Sequence, residues 1–179
     1  MHPSPKRPRL LTSLALLCAV LATGLLPNAV IARPEIARLW TGFREARSFV
    51  RLSELFTGKE NPGKRVILRS QPGERTGFYY IVRLVDRDRH PVPDGTVVLH
   101  VIPPDGDEPH VYRFPFKGDG RHKLRLDVGL TGKYWPYDRE QLPLAWKIEI
   151  LDATGALIDS RESFLWSRPR DSTPDTGDN

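Results

Sequence analysis

An aromatic cluster in the second half of the chain is the strongest candidate for a binding site. Tyr134, Trp135 and Tyr137 stand together in the sequence Tyr-Trp-Pro-Tyr, just after a Thr-Gly pair that is typical of a turn. Aromatic rings held in a loop can stack on a sugar or anchor a protein partner. The alternative is that Trp135 covers the open end of a hydrophobic core, because large aromatic side chains are mostly buried. We therefore predict Tyr134, Trp135 and Tyr137 as the binding residues.

Metal ligands are not grouped in a familiar pattern. His100 and His110 flank one predicted turn and could meet across a hairpin, but a structural zinc site needs about four ligands. The acidic run at 105–108 (Asp-Gly-Asp-Glu) supplies the oxygen ligands that calcium prefers, yet it lacks the calcium-loop signature. Its Asp-Gly pair is also ordinary turn chemistry. The sequence therefore predicts no metal site and no cofactor.

Motifs for nucleophilic catalysis or phosphate binding are missing from the sequence. It contains no Gly-x-Ser-x-Gly and no glycine run followed by Gly-Lys-Ser/Thr. The single cysteine, Cys18, lies in the N-terminal apolar segment, so residues 33–179 have neither a thiolate nucleophile nor a disulfide. Carboxylate pairs such as Asp138 and Glu140 exist, but their separation in space decides whether they act together. We predict a protein that is not an enzyme, with a hydrolase whose site the sequence hides as an alternative.

Short strands are the elements that must position the aromatic cluster. Seven segments alternate apolar and other side chains, which is the pattern of strands with one buried face. The clearest is 122–130, where a leucine or valine occupies every second position from Leu124. Asp119-Gly120 and Thr154-Gly155 are typical of hairpin tips. The predicted strands are 65–70, 77–86, 96–102, 111–116, 122–130, 143–152 and 158–166, and their inward side chains include Phe78, Tyr80, Tyr112, Phe114, Leu144, Trp146 and Ile148.

This strand pattern predicts an all-β fold, an antiparallel β-sandwich of about seven strands. Over residues 65–166 the chain resembles secreted bacterial immunoglobulin-like and fibronectin type III-like domains, with Trp146 as one inward tryptophan. The resemblance implies the sandwich architecture and no particular activity, because such folds host many functions. The Cys…Trp…Cys spacing of immunoglobulin domains is absent from the sequence.

Residues 1–32 have the pattern of a secretory signal peptide. Three basic residues precede an uncharged, mostly apolar run that extends from residue 10 to residue 32. We predict cleavage after Ala32, because Val30 and Ala32 fit the small-residue subsites of a signal peptidase. The alternative is an uncleaved membrane anchor, since the uncharged run is long enough to cross a bilayer. In either case the rest of the chain is expected to be exported.

The charge balance argues against nucleic acid as a partner. The full chain has 27 basic and 22 acidic residues, but three of the basic residues and none of the acidic ones lie in residues 1–32. The remaining chain is therefore close to neutral, unlike a typical nucleic-acid-binding domain. Residues 33–179 contain no cysteine, and the sequence has no Asn-x-Ser/Thr acceptor for glycosylation. An exported chain with these two features is typical of a bacterial envelope. We predict a periplasmic or extracellular location, with tethering to the inner membrane if residues 10–32 are retained.

Two flanking segments complete the predicted organisation around a sandwich domain at 58–166. Residues 33–57 form a short amphipathic arm, helical or extended. The spacing of Ile36, Leu39, Trp40 and Phe43 favours a helix over 35–50. Residues 167–179 consist of charged and polar residues, prolines and one glycine, with no aliphatic or aromatic side chain to bury. This composition predicts a disordered tail.

The predicted function is that of an exported, non-catalytic binding or assembly module of the bacterial cell envelope. The expected partner is a protein or an envelope polymer. Nucleic acid is not expected, and the membrane is contacted only through residues 10–32 if they are uncleaved. The alternatives are a module that binds a carbohydrate or wall polymer with its aromatic loop, and a hydrolase.

Overall fold

The computed structural model describes residues 32–167 of the chain. The predicted signal peptide or anchor (1–32) and the predicted tail (167–179) lie outside these residues, except for one residue of each. No helix within the described range is long and apolar enough to cross a membrane. The elements are β1 (Glu35–Arg44), a 3₁₀ turn (Ala46–Phe49), α1 (Leu52–Thr57), β2 (Arg65–Arg69), β3 (Gly77–Val85), β4 (Gly95–Ile102), β5 (His110–Phe116), β6 (Lys123–Thr131), a 3₁₀ turn (Gly132–Tyr134), β7 (Ala145–Asp152) and β8 (Leu157–Glu162).

The strands form two four-stranded sheets packed face to face as a β-sandwich. Sheet A has the order β1-β3-β6-β2, and sheet B has the order β5-β4-β7-β8. Neighbouring strands are antiparallel except for β2 and β6, which run parallel from Arg65↔Arg125 to Arg69↔Gly129. The predicted β-sandwich is therefore confirmed, with eight strands in residues 32–167 where about seven are predicted, but the fully antiparallel arrangement is wrong. The additional strand is β1, and the placement of β2 makes sheet A mixed.

Strand β1 lies in the segment for which the sequence favours a helix. It pairs with β3 along its length, and Ala37 is bulged out between Ile36 and Arg38. The bulge explains the helix-like pattern, because one inserted residue changes the spacing of the first two apolar side chains from two to three. Ile36, Leu39 and Phe43 therefore imitate one face of a helix, although all three belong to the inner face of a strand.

The core consists of inward side chains from both sheets. Alternate residues of β3 (78–84) and β6 (124–130) are at most 2% exposed, as the sequence predicts. Buried side chains of β4 and β7 pack against them from the opposite sheet. The prediction for Leu144 is wrong, because β7 begins at Ala145 and Leu144 is exposed. The last predicted strand is also shorter than expected, since β8 ends at Glu162.

A crossover from β1 to β2 (residues 45–64) covers the outer face of sheet A. Because β1 and β2 lie at opposite edges of the sheet, the crossover passes over the strands between them. The ring of Phe49 lies 4.8 Å from the ring of Tyr79, and both residues are buried. Gly129 faces Tyr79 in the register, and a Cβ atom at Gly129 would overlap the Tyr79 ring. Sheet A therefore has a second apolar layer on the face that alternation assigns to solvent.

Arg69 attaches this crossover to the sheet. Its guanidinium bonds both carboxylate oxygens of Glu60, at 2.7 and 2.6 Å, and donates to the Tyr79 hydroxyl at 3.0 Å. The guanidinium also lies 4.9 Å from the ring of Phe49. The Tyr79 hydroxyl donates in turn to the backbone oxygen of Arg75 at 2.8 Å. One side chain thus connects β2, β3 and the crossover.

Acid is expected to weaken this attachment. The hydrogen bonds from Arg69 lower the pKa of Glu60 below its ordinary value of 4.5, against the opposing effect of burial. The unfolded chain therefore takes up a proton at Glu60 at a higher pH than the folded chain does. The contribution of Glu60 to stability is complete above about pH 4.5 and is lost as the pH falls further.

Urea unfolding at pH 7 and at about pH 3.5 measures this loss. Glu60→Gln should lose less stability between the two pH values than the unchanged chain, because its side chain does not titrate. Glu140→Gln, at an exposed position, is the control and should behave like the unchanged chain. Equal acid losses in all three chains would show that the Glu60 pair does not contribute.

The sandwich has two open sides, where an edge strand of sheet A lies beside an edge strand of sheet B, and the contacts across these two sides differ. On one side, Asp159 and Arg161 of β8 bond the backbone N–H and C=O of Ile36 in β1, at 2.7 and 3.1 Å. These side chains join the two sheets and cover part of the β1 edge. On the other side, the edge strands β2 and β5 line a common cavity. The aromatic loop lies on this second side.

Candidate functional site

A cavity of about 570 Å³ lies where the aromatic loop meets strand β5. The loop follows β6 through the 3₁₀ turn Gly132–Tyr134, and Gly132 has a φ of 57°, which glycine adopts without strain. Most of the cavity wall is apolar or aromatic, as is typical of ligand sites. The lining residues are Val101, Pro103, His110, Val111, Tyr112, Leu130, Lys133, Tyr134, Trp135, Pro136 and Tyr137.

Trp135 is part of the cavity wall and of the core. It is 4% exposed, and its ring lies 5.0 Å from the rings of both Phe78 and Tyr137. This is the position described by the alternative expectation, in which Trp135 covers the end of the core. Its indole nitrogen is buried and has no hydrogen-bond partner within residues 32–167. Trp135 therefore supports the site by packing, and a substitution there would disturb the core as well.

Tyr137 is oriented by Asp105. Its hydroxyl donates a close hydrogen bond to the Asp105 carboxylate, which together with burial raises the pKa of Tyr137 to about 12. The phenol therefore keeps its proton at neutral pH. The ring packs edge-on against Trp135. The acidic run at 105–108, whose oxygens are of the kind that calcium prefers, thus contributes a carboxylate that positions the aromatic loop.

Tyr134 is the most accessible of the three predicted residues. It is 38% exposed, and its ring meets Tyr112 of β5 edge-on at 5.9 Å. The Lys133 ammonium lies 5.1 Å from the Tyr134 ring. Burial, with a smaller effect from Tyr134, raises the pKa of Tyr112, so Tyr112 stays neutral. The two tyrosine hydroxyls can therefore donate and accept hydrogen bonds.

A second cavity, of about 510 Å³, adjoins the first at Tyr112 and Tyr134. It lies between β2 and β5, and its walls include Leu68, Arg69 and Arg113. We call the two cavities together the tyrosine groove. Tyr134 stands between them, so a ligand made of several ring-sized units could occupy both with Tyr134 near its centre.

The ionisable groups of the tyrosine groove are phenols, basic groups and one imidazole. Its lining contains no carboxylate from the described part of the chain. Paired-carboxylate catalysis would therefore need groups from outside the lining. The ionisable side chains other than tyrosine are His110, Arg113 and Lys133, whereas Arg69 of the second cavity has its guanidinium bonded to Glu60 and Tyr79. This arrangement can hold and orient a polar ligand with aromatic surfaces.

Sequence reasoning does not identify the β5 side of the groove. Tyr112 is predicted only as an inward aromatic residue of its strand, and His110 only as a possible partner of His100 across a hairpin. The structure places both of them in the cavity wall beside the aromatic loop. Alternation gives the direction of each side chain but not the order of strands in a sheet, and that order brings β5 to the loop.

Another group of titratable side chains follows β3. Asp86, Asp88 and His90 offer potential ligand atoms that all lie within 4.8 Å of one another. The two Asp86 oxygens, however, already accept backbone N–H groups of Arg33 and His90, at 2.7 and 3.1 Å. Burial opposes the ionisation of Asp86, but these bonds outweigh it and lower the pKa of Asp86. The group therefore has the geometry of a turn that holds the beginning of β1.

His100 and His110 face opposite sides of sheet B. The register pairs His100 with Val111, and His110 with the inward residue Val101. His100 bonds Glu149 at 3.1 Å on the outer face. The two imidazoles therefore do not form the shared site across the hairpin that the sequence suggests as an option.

A cavity of about 670 Å³ lies at the opposite end of sheet B, beside the turn between β7 and β8. The carboxylates at its rim accept hydrogen bonds from backbone N–H groups of nearby turns. Asp152 accepts the backbone N–H of Thr154, and Asp94 accepts that of Gly118, each at 2.8 Å. None of the residues predicted for binding lines this cavity.

Comparison with known proteins finds no relative: no family model, curated protein or solved structure matches the chain. The class of the protein is therefore defined by its own architecture, two four-stranded sheets that pack as a β-sandwich.

Proposed function

We propose that this chain is an exported, non-catalytic binding or assembly module of the bacterial cell envelope, with its ligand in the tyrosine groove. The observation that carries the proposal is the position of Tyr134, which is exposed between two adjoining cavities at the open side of the sandwich. Binding residues are commonly placed on loops that a rigid scaffold positions. The signal-like pattern of residues 1–32 supports export to the periplasm or beyond. We further propose that the sandwich is related to immunoglobulin-like or fibronectin type III-like domains.

A carbohydrate or wall polymer is the proposed ligand class. Aromatic rings such as Tyr134 can pack on the apolar face of a sugar. The hydroxyls of Tyr112 and Tyr134 can exchange hydrogen bonds with sugar hydroxyls. The two cavities adjoin each other, which suits a chain of rings better than one small ligand.

Replacing Tyr134 with alanine is expected to weaken oligosaccharide binding about tenfold, since one packing ring is lost. An array of bacterial wall oligosaccharides probed with the full-length chain identifies the best ligand, and calorimetry then measures its affinity. Phe56→Ala removes an exposed ring from α1 and is the control, with unchanged binding expected. The proposal fails if the unchanged chain binds no oligosaccharide, or if Tyr134→Ala binds as tightly as the unchanged chain.

A further inference from the structure

Four arginines form one row across the outer face of sheet A. The strand registers pair Arg38 of β1 with Arg83 of β3, Arg83 with Arg125 of β6, and Arg125 with Arg65 of β2. Neighbouring strands are about 4.8 Å apart, so the four Cα atoms span about 14 Å at right angles to the strands. We call these residues the arginine row.

The positive charge of the arginine row is compensated only in part. Arg125 and Arg65 share the buried carboxylate of Asp127, at 2.7 and 3.4 Å. Arg38 and Arg83 are exposed, and neither forms an ion pair with any residue in the range 32–167. Like charges directly opposite each other destabilise a sheet. Four arginines in one row therefore cost stability unless a negatively charged partner neutralises them.

The bulge at Ala37 directs Arg38 into this row. Ile36 faces the core opposite Leu84, and side chains two residues apart in a regular strand share a face. In a regular strand without the bulge, Arg38 would therefore point toward the core with Ile36. The bulge reverses this direction and aligns Arg38 with Arg83. A local irregularity of β1 thus completes the row.

The crossover gives the row a recessed shape. A small cavity of about 160 Å³ lies between the crossover and the sheet, and Arg65, Arg125 and Ser48 contribute to its lining. At the other end of the row, Trp40 is 45% exposed, and the Arg38 guanidinium lies 5.9 Å from its ring. The row therefore begins beside an exposed indole and ends in a basic recess.

We propose that the arginine row binds an acidic polysaccharide whose chain runs across the four strands of sheet A. Guanidinium groups hold carboxylates through two parallel hydrogen bonds, and a row of them at the strand spacing fits anionic groups that recur along a linear chain. Trp40 offers one sugar ring an aromatic surface. The site lies on the outer face of sheet A, whereas the tyrosine groove lies between the sheet edges, so this inference does not depend on the proposed ligand of that groove.

Two other classes of anionic partner fit the observations less well. A bilayer surface is broad, whereas the row is narrow and bordered by the crossover. Nucleic acid is disfavoured by the near-neutral charge of residues 33–179 and by their predicted export. Both classes are included as outcomes of the experiment.

Binding of the full-length chain to polygalacturonate fragments, measured by calorimetry at low and high salt, tests the proposal. Arg38→Gln/Arg83→Gln should weaken binding at least about tenfold and should reduce its salt dependence, because two charge-assisted contacts are lost. Arg87→Gln/Arg139→Gln removes the same charge from two exposed arginines outside the row and outside the tyrosine groove, and should bind like the unchanged chain. Circular dichroism verifies that both variants are folded.

Several results would overturn the proposal. Equal loss in both double variants would mean that only net charge matters, and loss in Tyr134→Ala but not in Arg38→Gln/Arg83→Gln would place the polymer at the tyrosine groove. Equal binding of uncharged dextran would exclude recognition of carboxylates. Tighter binding of phosphatidylglycerol vesicles or of single-stranded DNA, with the same dependence on Arg38 and Arg83, would assign the row to a membrane or to nucleic acid.

Discussion

The substitution Leu126→Asp is expected to leave the chain unfolded in neutral buffer at room temperature. Leu126 is fully buried in β6, and the registers place it between Val82 of β3 and Val66 of β2. A carboxylate there would lose its hydration and gain no partner, at a cost on the order of 5 kcal/mol or more. This cost is comparable with the whole stability of an ordinary domain, about 5–15 kcal/mol. Circular dichroism during heating should show no cooperative transition.

Lys123→Asp is the matched control for this experiment. It introduces the same carboxylate on the same strand, at an exposed outward position. Its effect on the free energy of unfolding should stay within about 1 kcal/mol, as is usual for surface positions. If Leu126→Asp melted cooperatively near the temperature of Lys123→Asp, the assignment of the inner face of β6 would be refuted.

Arg69→Ala is expected to lower the free energy of unfolding by about 3 kcal/mol. The Arg69 side chain is only 7% exposed and makes two hydrogen bonds to Glu60 and one to Tyr79. Its removal leaves the Glu60 carboxylate without its principal partner and opens space beside Phe49. The crossover should therefore separate from sheet A more often, and a protease should cut within residues 45–64 faster. Urea unfolding and limited proteolysis measure the two effects.

Two further variants separate the geometry of Arg69 from its charge. Arg139→Ala removes an exposed arginine that pairs with Glu45, and such surface pairs contribute about 0–1 kcal/mol. Arg69→Lys keeps the charge but cannot hold both oxygens of Glu60 in parallel, so it should recover less than half of the loss. Unchanged proteolysis in Arg69→Ala, or full recovery in Arg69→Lys, would contradict the proposed attachment.

Local spacing is sufficient to predict the inner faces of β3 and β6, because the direction of each side chain follows from its position in a strand. The hairpin at Thr154-Gly155 is also confirmed, since Gly155 has a φ of 87° and β7 pairs with β8 around it. The prediction of a hairpin tip at Asp119-Gly120 is wrong, because β5 and β6 belong to different sheets. A turn sequence determines the local backbone, whereas the sheet that the next strand joins depends on distant contacts.

The remaining features depend on such distant contacts. The bulge at Ala37 interrupts the two-residue alternation by which β1 could be identified as a strand. No local sequence pattern indicates that β2 pairs in parallel with β6. Tyr79 and Asp127 occupy outward positions, yet both are buried, in a layer that includes the crossover and flanking arginines. For the candidate site, the sequence identifies the aromatic cluster but not Tyr112, because the contact between β5 and the loop requires the strand order.

The order of strands in sheet A also has a consequence for biosynthesis. Among the strands of residues 32–167, β2 pairs with β6 alone, and its Arg65 bonds Asp127, which lies 62 residues further along the chain. While β3, β4 and β5 are still emerging, from the ribosome or from the export channel, β2 and the crossover have no strand to join. Contacts of such long range slow folding, and an unpaired strand edge is prone to aggregation. The nascent chain is therefore most in need of a chaperone between the appearance of β2 and the completion of β6.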